Sequence, residues 1–177
     1  MKRILIIGCN ASGKTTMARK LSEKLNLPLI HLDKLYWRDN WTHATDEEFD
    51  QLLEKELKKD EWIIEGNIKR TLPKRLKYCD TVIYLDFPSF VCVLNAIKRL
   101  IQSHNKSRPD MGGECIEKFN LKGLKFINSI WSFNTKNRKD YYRMIKEENG
   151  VKVIILKNRK QVNEYLKNID EVKTKIC

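Results

Sequence analysis

The sequence contains few of the residues that mark fibrous, disordered or disulfide-stabilised proteins. Its 177 residues include only 4 prolines, 7 glycines and 5 cysteines, a composition that excludes a collagen-like chain and a small disulfide scaffold. The cysteines form no Cys-x-x-Cys pair and no zinc-spaced cluster with the 3 histidines. No apolar run approaches the ~20 residues of a membrane span, and the N-terminal run is too short for a signal peptide. We therefore expect one cytoplasmic globular domain with reduced thiols and no membrane partner.

Acidic residues are scarce in the second half of the chain. The protein has 35 Lys+Arg and 23 Asp+Glu, a net charge of +12. Residues 1–97 hold 16 basic and 14 acidic residues, whereas residues 98–177 hold 19 and 9. A basic half favours a polyanionic partner, either nucleic acid or a phosphorylated small molecule, or is simply a solvated Lys-rich surface. Charge alone does not choose among these interpretations.

Short apolar runs alternate with helical periodicity along the chain. The run Arg3–Ile7 is typical of a strand buried on both faces. Similar runs predict four more strands, at 28–33, 61–66, 81–86 and 151–156. Helical spacing predicts the intervening helices, at 14–25, 45–59, 73–78, 88–104, 116–148 with a break near Asn134-Thr135, and 162–169. This order indicates an α/β fold, a five-stranded parallel sheet with helices on both faces, whose ligands lie beyond the carboxyl ends of the strands.

A phosphate-binding motif follows the first predicted strand. Residues 8–15 match the pattern G-x-x-x-x-G-K-[ST] at every constrained position. In this P-loop the backbone N–H groups and the following helix dipole hold phosphates. Lys14 supplies a point charge for the β- and γ-phosphates, Thr15 is a ligand for Mg²⁺, and Thr16 is placed to reach an α-phosphate. The predicted ATP-binding residues of this loop are Gly8, Cys9, Asn10, Ala11, Ser12, Gly13, Lys14, Thr15 and Thr16.

Acidic residues follow three other predicted strands. Asp33 ends the second strand, where an acid orients an acceptor, reaches Mg²⁺ through water, or only forms a turn. Glu65 ends the third strand, where P-loop proteins usually keep an acid for the metal. An Asp is usual at this position, and the longer Glu65 side chain moves the carboxylate by one methylene group. Asp86, after the fourth strand, is interpreted as mainly structural.

Arginines cluster in or beside a segment rich in turn formers, residues 105–113, which we expect to be a mobile loop. Arg99, Arg108 and Arg138 are candidate catalytic cations, because phosphoryl transfer needs positioned positive charge and the guanidinium fork suits phosphate. The alternative is that each of them faces solvent only.

Three aromatic residues follow Asp33 closely. Tyr36, Trp37 and Trp41 either line an acceptor pocket, stack on a base, or pack as ordinary core.

The order of three segments resembles a known family. The P-loop, the segment Leu32-Asp33-x-x-x-Trp37 and the segment Trp62-Ile63-Ile64-Glu65-Gly66-Asn67 follow one another as in the DNA topology modulation proteins, among the adenylate-kinase-like P-loop kinases. The resemblance covers about residues 2–166 and implies strand order 2-3-1-4-5, an acceptor-binding insert at 34–60 and a lid at 98–140. It also implies that Asp33 and Arg75 lie on the acceptor side, that the three candidate arginines lie on the lid side, and that the loop after the fifth strand, Lys157-Asn158-Arg159, holds the adenine. Together with these two acceptor-side residues, Tyr36, Trp37 and Glu65 are the candidate substrate-binding residues.

Two functions of different classes follow. The first is a small P-loop kinase that transfers the γ-phosphoryl group of ATP, with Mg²⁺, to a nucleotide, a nucleoside or another small acceptor. The second is an ATP-responsive nucleic-acid-binding regulator, which the basic half and the family's name suggest, although no helix-turn-helix, zinc-finger or RRM signature is present. A P-loop hydrolase and an inactive nucleotide binder also remain open, because the motif alone does not separate them.

Overall fold

The computed structural model describes residues 1–103, 109–116 and 121–174. The strands are β1 (Arg3–Gly8), β2 (Leu29–His31), β3 (Trp62–Glu65), β4 (Thr81–Leu85) and β5 (Lys152–Leu156). The helices are α1 (Lys14–Leu25), α2 (Leu32–Tyr36), α3 (Asp46–Leu57), α4 (Leu72–Tyr78), α5 (Ser89–Gln102), α6 (Leu121–Trp131), α7 (Phe133–Glu147) and α8 (Arg159–Thr174). Two 3-10 turns, Asp39–Trp41 and Lys69–Thr71, precede α3 and α4 respectively.

The five strands form one parallel sheet in the order β2-β3-β1-β4-β5. Both the parallel α/β fold predicted from the pattern and the strand order implied by the resemblance are therefore confirmed. β1 lies at the centre, and its residues Ile4–Ile7 are fully buried because both faces of the sheet are covered. β5 is an edge strand and is partly exposed.

Two helix starts predicted from the sequence agree with the structure. Thr45 caps α3, and its side chain and that of Glu48 form the reciprocal hydrogen bonds of a capping box. Pro73 lies in the first turn of α4, where its missing N–H costs no hydrogen bond. No helix among the described residues is long and apolar enough to cross a membrane.

Three local predictions were wrong. Asp33 does not end a strand but lies in the first turn of α2, because β2 stops at His31. The long helix breaks at Ser132 rather than near Asn134, and the Ser132 hydroxyl donates to the Asn128 carbonyl 3.0 Å away, a bond that bends helices. Arg159 lies not in a loop but at the start of α8, because the Asn158 side chain accepts from Gln161 N at 3.0 Å and caps that helix.

Candidate active site

A large cavity opens beyond the carboxyl ends of the strands. Its volume is about 1220 Å³, larger than the ~300–1,000 Å³ of a typical pocket for one small ligand. Its walls come from the loop after β1, from α2 after β2, from residues 65–68 after β3, from α5 and α6, and from Arg159 after β5. This is the place where the parallel sheet predicts a ligand, and it has room for two ligands side by side.

The P-loop backbone adopts conformations that depend on its glycines. Gly8 has φ +145°, and a Cβ there would lie 2.6 Å from the carbonyl oxygen of Leu85. Gly13 has φ +96° and directly precedes α1, so that the amino end of that helix faces the loop. Ala11 is also left-handed, at φ +58°. This backbone fits an anion-binding loop, and the side chains of Cys9 and Ser12 are buried beneath it rather than facing the cavity.

Lys14 lines the cavity, although only 7% of its surface is exposed. Its Nζ donates to the carbonyl oxygen of Cys9 at 2.9 Å, which holds the ammonium group over the loop. Asn95 of α5 donates from Nδ2 to the Ala11 carbonyl at 3.1 Å and braces the loop from the other side. The guanidinium of Arg159 lies so close to Gly13 that any Cβ there would collide with it. Two cations therefore converge on the loop predicted to hold phosphates.

The two predicted metal ligands lie together. Thr15 Oγ1 donates to Glu65 Oε1 at 3.1 Å, so a hydroxyl and a carboxylate meet at the cavity wall. His31 Nδ1 lies 2.8 Å from the same Glu65 oxygen. This contact between two buried side chains holds the Glu65 carboxylate in place beside Thr15. Hard oxygen donors of this kind suit Mg²⁺.

Aromatic rings and a carboxylate line the other end of the cavity. Asp33, Tyr36, Trp37 and Trp41 all border it. The rings of Tyr36 and Trp37 meet edge to face with centroids 5.1 Å apart, and Trp37 meets Trp41 in the same way at 5.5 Å. We name this end, formed by residues 33–41, 66–68 and 109–116, the acceptor end. Its ring contacts make a preformed apolar wall beside the Asp33 carboxylate.

Residues 109–113, the described end of the predicted mobile loop, are docked on the acceptor end together with the three residues that follow them. Asp39 Oδ1 accepts from Glu114 N at 2.7 Å, and Trp41 Nε1 donates to the Ile116 carbonyl at 3.0 Å. The Cys115 side chain is fully buried there, with Sγ 3.2 Å from the Arg38 carbonyl. Residues 109–116 therefore pack against residues 34–41 at this end of the cavity, and we name them the cover segment.

The glycines of the cover segment permit this close docking. A Cβ on Gly112 would collide with the Trp37 carbonyl oxygen and would lie 2.5 Å from that of Lys34. Backbone atoms cannot turn away as a side chain can, so Gly112→Ala is expected to undock the segment at a cost of about 1–3 kcal/mol. The buried Cys115 thiol then reacts roughly 10- to 100-fold faster with a thiol reagent, as peptide mass spectrometry of the modified protein would measure.

Gly150→Ala is the control for general destabilisation, because Gly150 has a positive φ of +83° that strains an added side chain, although nothing lies within 4 Å of a Cβ there. Its cost is backbone strain far from the cover segment. Equal acceleration of Cys115 labelling in both variants would show that general destabilisation, rather than undocking, exposes the thiol.

The structure does not bring every predicted arginine to the cavity. Arg75 is fully buried in α4, where its guanidinium donates to the carbonyl oxygens of Ile68 at 2.6 Å and Gly66 at 3.4 Å, and burial lowers the pKa of Arg75 to about 10. Arg75 therefore holds the loop after β3 and does not border the cavity, and its predicted role on the acceptor side stays a prediction. Arg138 does not line the cavity either but pairs with the buried Asp86 at 2.5 Å, and Asp86 raises the pKa of Arg138. Arg99 does line it, and Arg108 lies outside the described residues.

Several cavity residues were missed by reading the sequence. Arg19 lies one helical turn beyond Thr15, a spacing that could have revealed it. Asn67 follows Gly66 directly, in a segment whose pattern indicates a family resemblance but no role for this residue. The sequence around Lys98 and Asn95 of α5 does not indicate that they line a cavity, because polar residues on one face of a helix are common.

The comparisons with known proteins support the architecture. The shikimate kinase of Bacteroides thetaiotaomicron matches with 14% identity and a TM-score of 0.54, and the match covers 98% of each chain. The shikimate kinase of Acinetobacter baumannii, solved with shikimate, matches with 15% identity and a TM-score of 0.58 over 99% of this chain and 94% of that chain. A gluconokinase from Sinorhizobium meliloti 1021 matches with 13% identity and a TM-score of 0.53 over 99% of this chain and 95% of that chain. The chain has the fold of the small P-loop kinases. No family model and no curated protein matches it, so the resemblance to DNA topology modulation proteins stays a prediction.

Proposed function

We propose that this protein is a small-molecule kinase that transfers the γ-phosphoryl group of ATP to a hydroxyl group of a small acceptor. The observation that carries the proposal is one cavity bordered at one side by Lys14 and Thr15 of the P-loop and at the other by Asp33 and its aromatic neighbours. A nucleotide site and an acceptor site are thereby joined, as direct transfer requires. The fold shared with kinases supports this proposal.

Each part of the cavity has a role in the transfer. Lys14, Arg99 and Arg159 supply positive charge for the phosphates of ATP, while the loop N–H groups of residues 8–13 hold them. The hydroxyl oxygen of the acceptor bonds to the γ-phosphorus of ATP, while the bond between that phosphorus and the bridging oxygen breaks and ADP leaves. Asp33 accepts the proton that the hydroxyl group loses. The insert at 34–60 positions the acceptor, and residues 98–140 act as a lid.

The residues present fit a magnesium ion at the nucleotide site. Thr15 and Glu65 present a hydroxyl and a carboxylate 3.1 Å apart, and Thr15 directly follows the P-loop lysine. When bound, Mg²⁺ would draw charge from the phosphate oxygens of ATP. The Glu65 carboxylate, oriented by His31, would hold the ion directly or through its waters.

Glu65→Gln keeps the shape of this carboxylate but removes its charge. We expect the Mg²⁺ concentration that gives half-maximal activity to rise about 10- to 100-fold, while activity at saturating Mg²⁺ largely recovers. The measurement is a Mg²⁺ titration of ADP formation. Glu61→Gln, on a surface carboxylate that pairs with Lys2, is the control and leaves the titration unchanged. An unchanged curve for Glu65→Gln would remove Glu65 from the metal site.

The docked cover segment favours transfer over hydrolysis. It closes the acceptor end through Asp39, Trp41 and Cys115, and a closed site excludes the water that would compete with an acceptor hydroxyl. The test is ADP release with and without a panel of nucleosides, polyols, amino sugars and sugar acids. Stimulation of ADP release by at least one acceptor is expected, whereas a constant rate with every acceptor would contradict a kinase.

The similar structures do not identify the acceptor of this protein. One neighbour was solved with shikimate and another is named as a gluconokinase, and the compounds in these names are carboxylates. At 13–15% identity these likenesses show only the fold. The comparisons lend no support to binding of nucleic acid, and we do not propose it.

A further inference from the structure

We propose that the protein forms a two-fold symmetric dimer through an exposed apolar face of α5 and α6, with a second copy of the same chain as the partner. This inference goes beyond the proposed kinase function and does not depend on it. It follows from the position, the size, the spacing and the charge of this face. We name it the outer face, and its members are Phe90, Leu94, Ile97 and Ile101 of α5 and Leu124 and Trp131 of α6.

The outer face lies on the side of these two helices that points away from the cavity. Arg99 of α5 and Phe126 of α6 border the cavity, and Cζ of Arg99 lies 5.5 Å from the centroid of the Phe126 ring. With about 100° of rotation per residue, the four α5 members of the outer face lie about 140–180° around the helix from Arg99. The two α6 members lie about 140–160° from Phe126. A partner that covers the outer face therefore leaves the cavity open.

The outer face is larger than the apolar patches of an ordinary monomer. Its least exposed member is Ile97, at 37%, and its most exposed is Ile101, at 68%. Together the six residues expose roughly 700 Å², compared with ~300–600 Å² for the largest patch of a typical monomer and ~800 Å² per partner for a stable interface. This area favours association, because only a partner can remove it from water.

The spacing of the α5 members predicts that another helix covers them. Phe90, Leu94, Ile97 and Ile101 follow one another at intervals of 4, 3 and 4 residues, the pattern of a seam between two packed helices. This spacing is the same in both directions, so an antiparallel copy of α5 presents an identical row of side chains.

An antiparallel pair of α5 helices brings matching residues together. When the pair is centred between Leu94 and Ile97, each Leu94 meets the Ile97 of the second copy, and each Phe90 meets its Ile101. The two helix dipoles then oppose each other, as they would not in a parallel pair. A surface that is complementary to itself in this way is what a two-fold interface requires.

The absence of charge on the outer face favours a second copy over a nucleic acid or an anionic membrane, which are bound through rows of cations. Neither α5 nor α6 contains an acidic residue. The basic residues of α5, Lys98 and Arg99, both border the cavity, so that Lys98 lies at the edge of the outer face rather than at its centre. Two copies of net charge +12 repel each other, but a neutral contact leaves those charges in solvent, where salt screens them.

Sedimentation velocity of the purified full chain measures the association directly. Between about 1 and about 100 μM, we expect the average mass to rise from that of one chain to that of two, and no further, because a two-fold interface is closed. Raising NaCl from about 0.05 to about 0.5 M is expected to tighten the dimer, since the contact is apolar and the repulsion is screened. A monomer throughout this range, or a dimer that dissociates as salt rises, would overturn the proposal.

Leu94→Glu places a charge at the centre of the seam. Leu94 is 62% exposed in the single chain, so we expect little change in the urea midpoint. The dissociation constant of the dimer is expected to rise at least about 100-fold, because two unpaired carboxylates would be buried in it. Gln51→Glu is the matched control, since it adds the same charge at an exposed position of α3 and leaves association unchanged. Unaltered affinity in Leu94→Glu would show that the contact lies elsewhere.

A mixture of two variants tests the antiparallel pairing. Ile97→Lys alone is expected to dissociate as Leu94→Glu alone does. In a mixed dimer, the introduced ammonium and carboxylate groups meet at one contact, and the other contact is that of the parent. We therefore expect the equimolar mixture to form dimers at a concentration where neither variant does so alone. No gain on mixing would contradict the proposed arrangement.

Vesicles of phosphatidylcholine and phosphatidylglycerol test the other surface that an apolar helix face could enter. We expect any cosedimentation of the protein with these vesicles to be equal for the parent and for Leu94→Glu. A chain that stays monomeric and binds the vesicles only when Leu94 is intact would assign the outer face to a membrane and overturn the proposal.

Discussion

Lys14→Ala is expected to lower kcat for acceptor-dependent ADP formation by about 10²- to 10³-fold, the usual effect of removing one preorganised charge from a transferring group. Lys14 is buried at the mouth of the P-loop, and its Nζ is already held by the Cys9 carbonyl. Because the ammonium group is fixed before ATP binds, little energy is spent on ordering it during the reaction.

Folding is expected to survive the Lys14→Ala substitution. The lysine side chain makes one hydrogen bond to the backbone, so its loss changes the urea midpoint little. Lys20→Ala is the control: Lys20 lies on the same helix but is exposed and does not border the cavity. The measurement is steady-state kinetics with both variants purified in parallel. If both variants kept parental kcat, Lys14 would have no part in catalysis.

Asp33→Asn is expected to lower kcat by about 10²- to 10⁴-fold with little change in the KM for ATP. The amide keeps the size of the side chain but cannot accept the proton of the acceptor hydroxyl. Asp33 borders the acceptor end, whereas the P-loop residues that we propose hold ATP belong to other elements. The loss is therefore expected in the chemical step rather than in nucleotide binding.

The control for this variant is Asp60→Asn, on an exposed acid before β3. Parallel kinetics of the two variants would show whether the effect belongs to position 33 or to the loss of any one carboxylate. A large rise in the KM for ATP with an unchanged kcat would place Asp33 at the metal, the alternative role that the sequence left open.

The backbone course of the P-loop could be predicted from the sequence because it is set by consecutive residues. The spacing of Gly8, Gly13 and Lys14 requires a tight loop followed by a helix, and both are present. The buried strands were equally clear, because a parallel sheet covered on both faces demands continuous apolar runs such as Ile4–Ile7.

Contacts between distant segments could not be predicted. Gly112 and Gly113 indicate a mobile turn when they are considered locally, but here the missing Cβ atoms allow the cover segment to lie against the backbone of the insert. The same limit applies to Arg75, since an arginine in a short helix gives no sign that carbonyl oxygens of another loop surround it. The five residues of α2 are also too few to show helical periodicity.

The central claim is that the γ-phosphoryl group of ATP passes to a small acceptor and not to water. Phosphorus NMR of a reaction with ATP, Mg²⁺ and a stimulating acceptor measures this directly, because a phosphorylated acceptor and inorganic phosphate give separate signals. We expect one phosphorylated acceptor for each ADP formed, and no such signal with Lys14→Ala. Inorganic phosphate in equal amount to ADP, whatever acceptor is present, would contradict the account.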